Sequence, residues 1–338
     1  MASERRRNST MRNIVNNYGI YFLLLLILLG SFALLGFRGG VNLAILGIAS
    51  MVPISLAAMG ELLCERAGIF NVGVEGMMLF SSLFSAIGAK LSGHWLGGIA
   101  LGVFVGALLG WVFGLACTRW QGDQLLFGLG LNIISQGVVL LLLLKMFNTL
   151  TFYRIPSDLR VPQFKVANTT ISGFALAGLV LAIVMYFVIS STRYGLRARA
   201  VGQAPTVADY LGIDPYRVRT VAAVVCGIAA GLGGAYMSLD WVGLASPTLI
   251  QGRGFMALAC VKFGGLNPLR ILSGAMIFGT LLAAANWLQN IPAFAPLTRQ
   301  GGSYLLLLLP YFFVVLTMSL FPYSEPLAKT IGMPYRRE

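Results

Sequence analysis

The residues whose chemistry could matter most are gathered in one short segment, GELLCERAGIFNVGVEGMM, at positions 60–78. Polar groups at membrane depth are costly and usually face a cavity or a partner group. Irregular backbone at that depth is tolerated where it lines a cavity. Asn71 and Glu75 are therefore candidates to line a path for a polar solute, although the same stretch could also be a hairpin in water. The other charged residues are assigned to that hairpin: Glu61, Glu65 and Arg66.

Uncharged amides inside other apolar runs form a second candidate set. Asn132 and Gln136 are four residues apart, so they lie on one face of a helix. Asn286 lies in a later run. Amides suit a neutral polar solute better than an ion. The same side chains could instead hydrogen-bond neighbouring helices, at about 0.6 kcal/mol each, and both interpretations stay open.

A short amphipathic helix is predicted within the longest basic loop, residues 192–219. Pro205 suits the first turn of a helix, and Gly212 suits its C-terminal cap. The helix between them would have one apolar face, formed by Val207, Ala208 and Leu211. A helix of two turns is unstable alone in water. We therefore expect it to dock on the protein's own helices or on a partner.

Long apolar helices must position these residues. The 338 residues are 57% hydrophobic and 10% charged, whereas a soluble domain carries roughly 25% charged residues. A span of ~30 Å of hydrocarbon needs about 20 mostly apolar residues. We therefore predict an all-α, polytopic membrane bundle of about ten transmembrane helices. The predicted spans are 18–37, 42–60, 68–89, 95–117, 124–146, 173–191, 220–239, 254–267, 271–290 and 303–321.

Basic residues fall mainly on one side of this predicted bundle. Most of the 24 lysines and arginines lie in segments that are cytoplasmic if the N terminus is inside, as the positive-inside rule requires. We predict both termini inside, with 1–17 and 322–338 as cytoplasmic tails of a membrane domain at 18–321. The net charge of +13 does not indicate nucleic-acid binding, because such a surface clusters its basic residues on one soluble face.

Glycines recur every four residues through the run at 95–117. They are Gly98, Gly102, Gly106, Gly110 and Gly114. Such a stripe lets another helix approach closely, which is a main source of helix association in lipid. Gly227 and Gly231 do the same in a later run. We assign these glycines to helix packing.

Four motifs, in order along the chain, resemble the inner-membrane permeases of ABC importers for branched-chain amino acids, simple sugars and nucleosides. They are ERAGIFNVGVEGMML (65–79), DQLLFGLGLNIISQG (123–137), the 192–219 loop and GRGFMALACVKFGGLNP (252–268). The first and last look most like the nucleoside-type permeases. The resemblance therefore implies a type II ABC importer-like bundle in a bacterial inner membrane, importing a nucleoside or a related purine or pyrimidine compound by alternating access.

The resemblance also implies a complex. Two permease subunits, this one with a homologous partner or with a second copy of itself, would enclose the path within membrane lipid. Separate ATPase subunits would bind ATP and Mg²⁺, and an extracytoplasmic binding protein would deliver the solute. The 192–219 loop would seat in the ATPase, through Gly202, Pro205, Val207, Ala208, Leu211 and Gly212. This chain has no GxxxxGK[ST] phosphate loop, so we expect no enzyme activity, cofactor or metal site in it.

Other functions remain as alternatives. A permease of the same family for a simple sugar or another small solute is one of them. An ion-coupled secondary transporter would need a titratable residue at mid-membrane, and only Glu75 is predicted at that depth, with Asp123 and Asp240 near span ends. A membrane enzyme acting on lipid usually needs clustered His, Asp or Glu, whereas this chain has one histidine.

Overall fold

The computed structural model describes residues 2–166, 169–289, 308–320, 330–333 and 335–336. Helices dominate it: α1 Ala2–Arg66, α2 Val74–Ser92, α3 Trp95–Thr118, α4 Gln124–Phe147, α5 Gly173–Ser191, α6 Arg193–Gln203, α7 Pro205–Tyr210, α8 Pro215–Tyr236, α9 Arg253–Gly264, α10 Pro268–Gln289 and α11 Leu309–Leu320. Two antiparallel ribbons lie in the connections. They pair β1 (Tyr153–Arg154) with β4 (Leu244–Ala245), and β2 (Gln163–Val166) with β3 (Thr169–Ser172).

Seven helices of the described chain are long and apolar enough to cross a bilayer. They are Leu35–Arg66, Val74–Ser92, Trp95–Thr118, Gln124–Phe147, Gly173–Ser191, Pro215–Trp241 and Pro268–Gln289. Each corresponds to one of the predicted spans between 42 and 290. The predicted polytopic helical bundle is therefore confirmed, and the two short ribbons are an addition that the hydropathy pattern did not indicate.

The remaining predicted spans correspond to shorter helices. Within α1, the stretch Gly19–Gly30 is apolar and matches the predicted span 18–37. Helix α9 has 12 residues, so it is about 18 Å long and covers only part of the bilayer. The predicted span 303–321 overlaps α11, but its residues 303–307 and 321 lie outside the described residues, as does most of the predicted tail 322–338.

Helix α1 extends further at its C-terminal end than the sequence indicated. Helix α1 is interrupted by a kink at Gly36, where φ is 69°. Its second part continues to Arg66 because ELLCER contains good helix formers and the next positive φ comes only at Gly68, at 86°. The segment 67–73 then folds back over its last turns. The assignment of Glu61, Glu65 and Arg66 to a solvated hairpin is therefore wrong. Both glutamates are fully buried, and Glu65 pairs with Lys262 at 2.9 Å.

The glycine stripe of α3 allows close helix packing, as predicted, and its helix partner along Gly106, Gly110 and Gly114 is α8. A Cβ added to Gly110 would lie 3.1 Å from Gly227 Cα, and one added to Gly231 would lie 3.1 Å from Val103 Cα. The two backbones therefore approach closely along this line. Helices α1, α2 and α8 form the centre of the bundle around them, where Ile54, Met59, Leu62, Met77 and Ala230 are completely buried.

Candidate functional site

The segment Ala67–Gly73 is a break between α1 and α2, and we call it the helix break. It returns along α1, so that the Asn71 N–H donates to Glu61 Oε1 at 2.9 Å. The Asn71 side chain is buried and closes the turn by accepting from the Gly73 N–H at 3.0 Å. Non-helical backbone at membrane depth needs partners for its polar groups, and these two bonds supply part of them.

Side chains from distant helices bind further backbone groups of the helix break and of the first turn of α2. Gln124 Oε1 accepts from the Phe70 N–H at 2.7 Å. The Asn132 amide donates to the Val72 carbonyl at 3.0 Å and accepts from the Gly76 N–H at 2.7 Å. The structure therefore brings Asn71 and Asn132 together at the break, where both side chains bind backbone. This geometry favours the helix-bonding interpretation of Asn132.

Glu75, in the first turn of α2 just after the break, links α2 to the half-length helix α9. Its two carboxylate oxygens accept from the N–H groups of Gly252 and Gly254, each at 2.7 Å. A carboxylate at a helix N-terminus is favoured by the unpaired N–H groups and the helix dipole. Glu75 thus fixes the start of α9, a pairing that sequence spacing could not reveal because 177 residues separate the partners.

A cavity of about 540 Å³ lies beside the start of α9. That volume is typical of small-molecule sites. Its polar lining includes Thr151, Ser246, Thr248, Gln251 and Arg253, next to the aromatic ring of Phe152. The Arg253 side chain is buried, and its Nε has no hydrogen-bond partner in the part of the chain that the structure describes. None of the five predicted path residues lines this cavity, and the sequence analysis did not single out the residues that do.

Gln136 and Asn286 lie elsewhere. Both side chains are exposed, Gln136 on α4 and Asn286 on α10. The structure therefore does not bring these two amides to the helix break. It places them on the outer surface of this chain.

The short helix of the basic loop is present, as predicted. Helix α7 begins at Pro205, and Gly212 adopts a positive φ of 81° just beyond it. The Gly212 N–H donates to the Asp209 carbonyl and the Ile213 N–H to the Ala208 carbonyl, both at 2.9 Å. This pair of bonds is the Schellman motif, a helix end whose left-handed residue is usually glycine.

The prediction that α7 has a single apolar face is wrong. The apolar residues of this helix lie on two different sides. Ala208 is buried with Pro205 against the protein, whereas Val207, Tyr210 and Leu211 are 55%, 85% and 76% exposed. Val207 and Ala208 are neighbours and point about 100° apart on a helix. We call Val207, Tyr210 and Leu211 the α7 patch. Gly202, one turn before α7 in the buried part of α6, does not belong to the patch.

Tyr194 of α6 links the basic loop to α8 through a hydrogen bond. Its hydroxyl donates to the Val218 carbonyl at 2.8 Å. Burial, with a smaller effect from nearby Cys64, raises the pKa of the Tyr194 hydroxyl above its ordinary value. The hydroxyl therefore stays protonated and remains a donor throughout the physiological pH range.

One group of possible metal-ligand atoms lies in the described chain. Glu61, Cys64 and Cys226 hold theirs within 4.8 Å of one another, all buried. Glu61 already accepts from the Asn71 N–H, and the Asn71 amide donates to Cys226 Sγ at 3.5 Å. These contacts join α1, the helix break and α8. The four cysteines are all buried free thiols, as expected of small apolar residues.

Comparison with known proteins matches residues 43–318 to the family described as branched-chain amino acid transport system permease component. The guanosine ABC transporter permease protein NupQ of Bacillus subtilis is 28% identical, over 84% of this chain and 92% of its own length. The nucleoside ABC transporter permease protein NupC of Lactococcus lactis is 30% identical, over 84% and 93%. The D-allose transport system permease protein AlsC of Escherichia coli is 27% identical, over 85% and 89%. No solved structure matches the chain.

Proposed function

Because the chain belongs to the branched-chain amino acid transport system permease family, we propose that it is the membrane subunit of an ATP-driven importer whose solute is a nucleoside or a related purine or pyrimidine compound. Membership makes the chain a multi-pass permease component of the bacterial inner membrane. The resemblance that the four motifs indicated is confirmed. We also propose its partners, its solute and its membrane orientation.

The α7 patch is the observation that carries the proposal. Three large apolar side chains project from a short helix in a loop rich in arginine. Isolated exposed apolar residues are common, but a contiguous patch on a helix that cannot be stable alone indicates a partner surface. An ATPase subunit, which would bind ATP and Mg²⁺, supplies the energy that this chain cannot. We assign Val207 and Leu211 to the contact with that subunit, and Pro205, Ala208, Gly202 and Gly212 to the shape of the loop.

The solute is proposed from the relatives and from the cavity beside α9. Relatives named for guanosine, for nucleosides and for D-allose share most of the chain. Hydroxyl and amide groups beside Phe152 suit a ribose and a stacked base. A simple sugar would use the same polar groups without the aromatic ring, and it is the second candidate. Asn71 and Glu75 would then act on the path by shaping its wall, and Asn132 would hold that wall in place.

A second permease subunit is supported by the surface of α4. Only 22% of its apolar window is buried within this chain, and Gln136 is exposed there. An amide facing lipid is costly, so we assign this surface to a homologous permease, or to a second copy of the chain, across the solute path. Gln136 and Asn286 would then lie at or near the subunit boundary. An extracytoplasmic binding protein would deliver the solute to the opposite end from α7.

The membrane orientation is also part of the proposal. We assign about ten spans, adding the N-terminal part of α1, the half-length α9 and α11 to the seven long helices. Both termini and the basic loop 192–219 are assigned to the cytoplasm, because this segment carries Arg193, Arg197, Arg199, Arg217 and Arg219. An ion-coupled carrier is less favoured, because both oxygens of Glu75 already accept hydrogen bonds from α9.

Replacing Leu211 by Asp tests the proposal. Losing the burial of one leucine costs about 1.5–3 kcal/mol, so ATPase association and ATP-driven uptake of labelled guanosine should fall at least about tenfold. Nucleosides should compete in wild-type uptake, and D-allose should not. Gln203→Asp is the control, since it adds the same charge at an exposed polar residue. Normal association of Leu211→Asp, or uptake that survives ATP depletion and collapses with an ion gradient, contradicts the proposal.

A further inference from the structure

Arg219 is a buried arginine whose partners are neutral. Only 1% of its surface is exposed, and it lies near the start of α8. Its Nε donates to the Ala67 carbonyl at 3.1 Å, its Nη2 to Thr330 Oγ1 at 3.0 Å and its Nη1 to the Met333 carbonyl at 3.2 Å. No carboxylate lies within 4.0 Å of it among the described residues. A buried charge without an ionic partner is costly, and these three hydrogen bonds offset part of that cost.

Two of these contacts come from residues near the C terminus. We call residues 330–333 and 335–336 the clasp. Besides accepting from Arg219, the Thr330 hydroxyl donates to the Gly202 carbonyl in α6 at 2.8 Å. The Tyr335 hydroxyl donates to Asp209 Oδ2 in α7 at 2.9 Å. The Tyr335 carbonyl accepts from the Tyr216 hydroxyl at 3.2 Å. The clasp therefore contacts α6, α7 and α8 at once.

The order of the contacts forms a route through the molecule. Asp209 is adjacent to the exposed Tyr210 of the α7 patch, and Tyr335 holds Asp209. Thr330 and Met333 of the same clasp hold Arg219, and Arg219 holds Ala67 at the first residue of the helix break. Hydrogen bonds thus join the clasp to Asp209, next to the α7 patch, and, through the buried Arg219 side chain, to the break.

We propose that Arg219 and the clasp are a positioning device that makes the helix break follow the movement of α7. The inference rests on the proposed function, since it assigns the transmission of an ATPase-driven movement. A planar guanidinium suits this position, because its fork of donors binds three acceptors in fixed directions, which a lysine cannot reproduce. A clasp that only stabilised the fold would affect the amount of folded protein and leave the coupling of ATP hydrolysis to transport unchanged.

Three conservative variants test the inference in the complete transporter reconstituted in liposomes. They are Arg219→Lys, Thr330→Val and Tyr335→Phe. Each should keep the assembled complex and its ATP hydrolysis, and each should lower the number of solute molecules moved per ATP at least threefold. Thr330→Val should add little to Arg219→Lys, because both act in one route. Arg217→Lys is the matched control, since Arg217 is exposed and two residues away.

Hydrogen exchange in the purified chain gives a readout that does not depend on transport. Amides of the helix break should exchange faster in Thr330→Val and Arg219→Lys, whereas amides of α3 and α8 along the glycine stripe should not. Unchanged exchange at the break overturns the inference, and so does an unchanged ratio of solute to ATP. If the variants exchange faster at the break but the wild-type complex shows no ATP-driven uptake, the contact route stands and the proposed function is rejected instead.

Discussion

Asn132 holds the helix break through both ends of its amide. The amide donates to the Val72 carbonyl and accepts from the Gly76 N–H. In a bilayer core, water is not available to replace either bond. An interhelical bond between two side chains in a membrane averages only about 0.6 kcal/mol. Leaving two backbone groups unbound is a larger effect, because each buried unsatisfied group costs about 1–3 kcal/mol.

Replacing Asn132 by Leu should therefore destabilise the protein by about 2 kcal/mol or more. Gln136→Leu, one turn further along the same helix, changes an exposed amide and should stay within about 0.5 kcal/mol in the isolated chain. Thermal unfolding of both purified variants in detergent measures the difference. Equal stability of the two variants would mean that the Asn132 bonds do not hold the break.

For individual residues, the sequence indicated which polar side chains matter better than it indicated what they contact. The choice of Asn71 and Glu75 pointed to the helix break, whereas the separate choice of Asn132 did not indicate that it binds there. Hydropathy, however, treats an acid as the end of a span, which is why Glu61 and Glu65 were misassigned. Their burial depends on the Asn71 backbone and on Lys262, which lies almost 200 residues from Glu65. No local pattern contains that information.

At the scale of helices, the close packing of α3 was predictable, although its partner α8 was not. A four-residue period of glycines is visible in sequence and has one common physical use in lipid. By contrast, the α7 patch depended on which side of a two-turn helix faces the bundle. Pro205 and Ala208 form the buried side of this helix. The spacing of apolar residues in the sequence does not show that this side is buried and that Val207 and Leu211 are exposed.

Replacing a helix glycine by alanine should have opposite effects on stability at a closely packed position and at an open one. Gly110→Ala would put a Cβ 3.1 Å from Gly227 Cα and closer still to the Ala223 carbonyl oxygen, so we expect a loss of about 1–3 kcal/mol. A Cβ at Gly130 of α4 meets nothing within 4 Å, and helix propensity favours alanine there by up to about 1 kcal/mol. Melting temperatures of the purified variants should therefore move in opposite directions. Equal falls would argue against close packing of α3 on α8.

The whole molecule has two ends with different tasks under the proposed function. The helix break, the clasp and α7 are linked at one end, while the far end of α2 lies about 28 Å away along a 19-residue helix. Seven spans followed from hydropathy alone, since each is one long apolar run. The orientation of the bundle depends on the charge distribution, which predicts the α7 end inside.

Labelling of single introduced cysteines should report that orientation. Background labelling should be low, because all four native thiols are buried. Tyr210→Cys, in the α7 patch, should react with a membrane-impermeant maleimide only after the cytoplasmic face is opened. It should become protected when the ATPase subunit is bound. Leu91→Cys, exposed near the other end of α2, should react in intact cells. Labelling of Tyr210→Cys from outside would show that the orientation is the opposite of the one proposed. It would also exclude α7 from the contact with the ATPase, because ATP is available only on the cytoplasmic side.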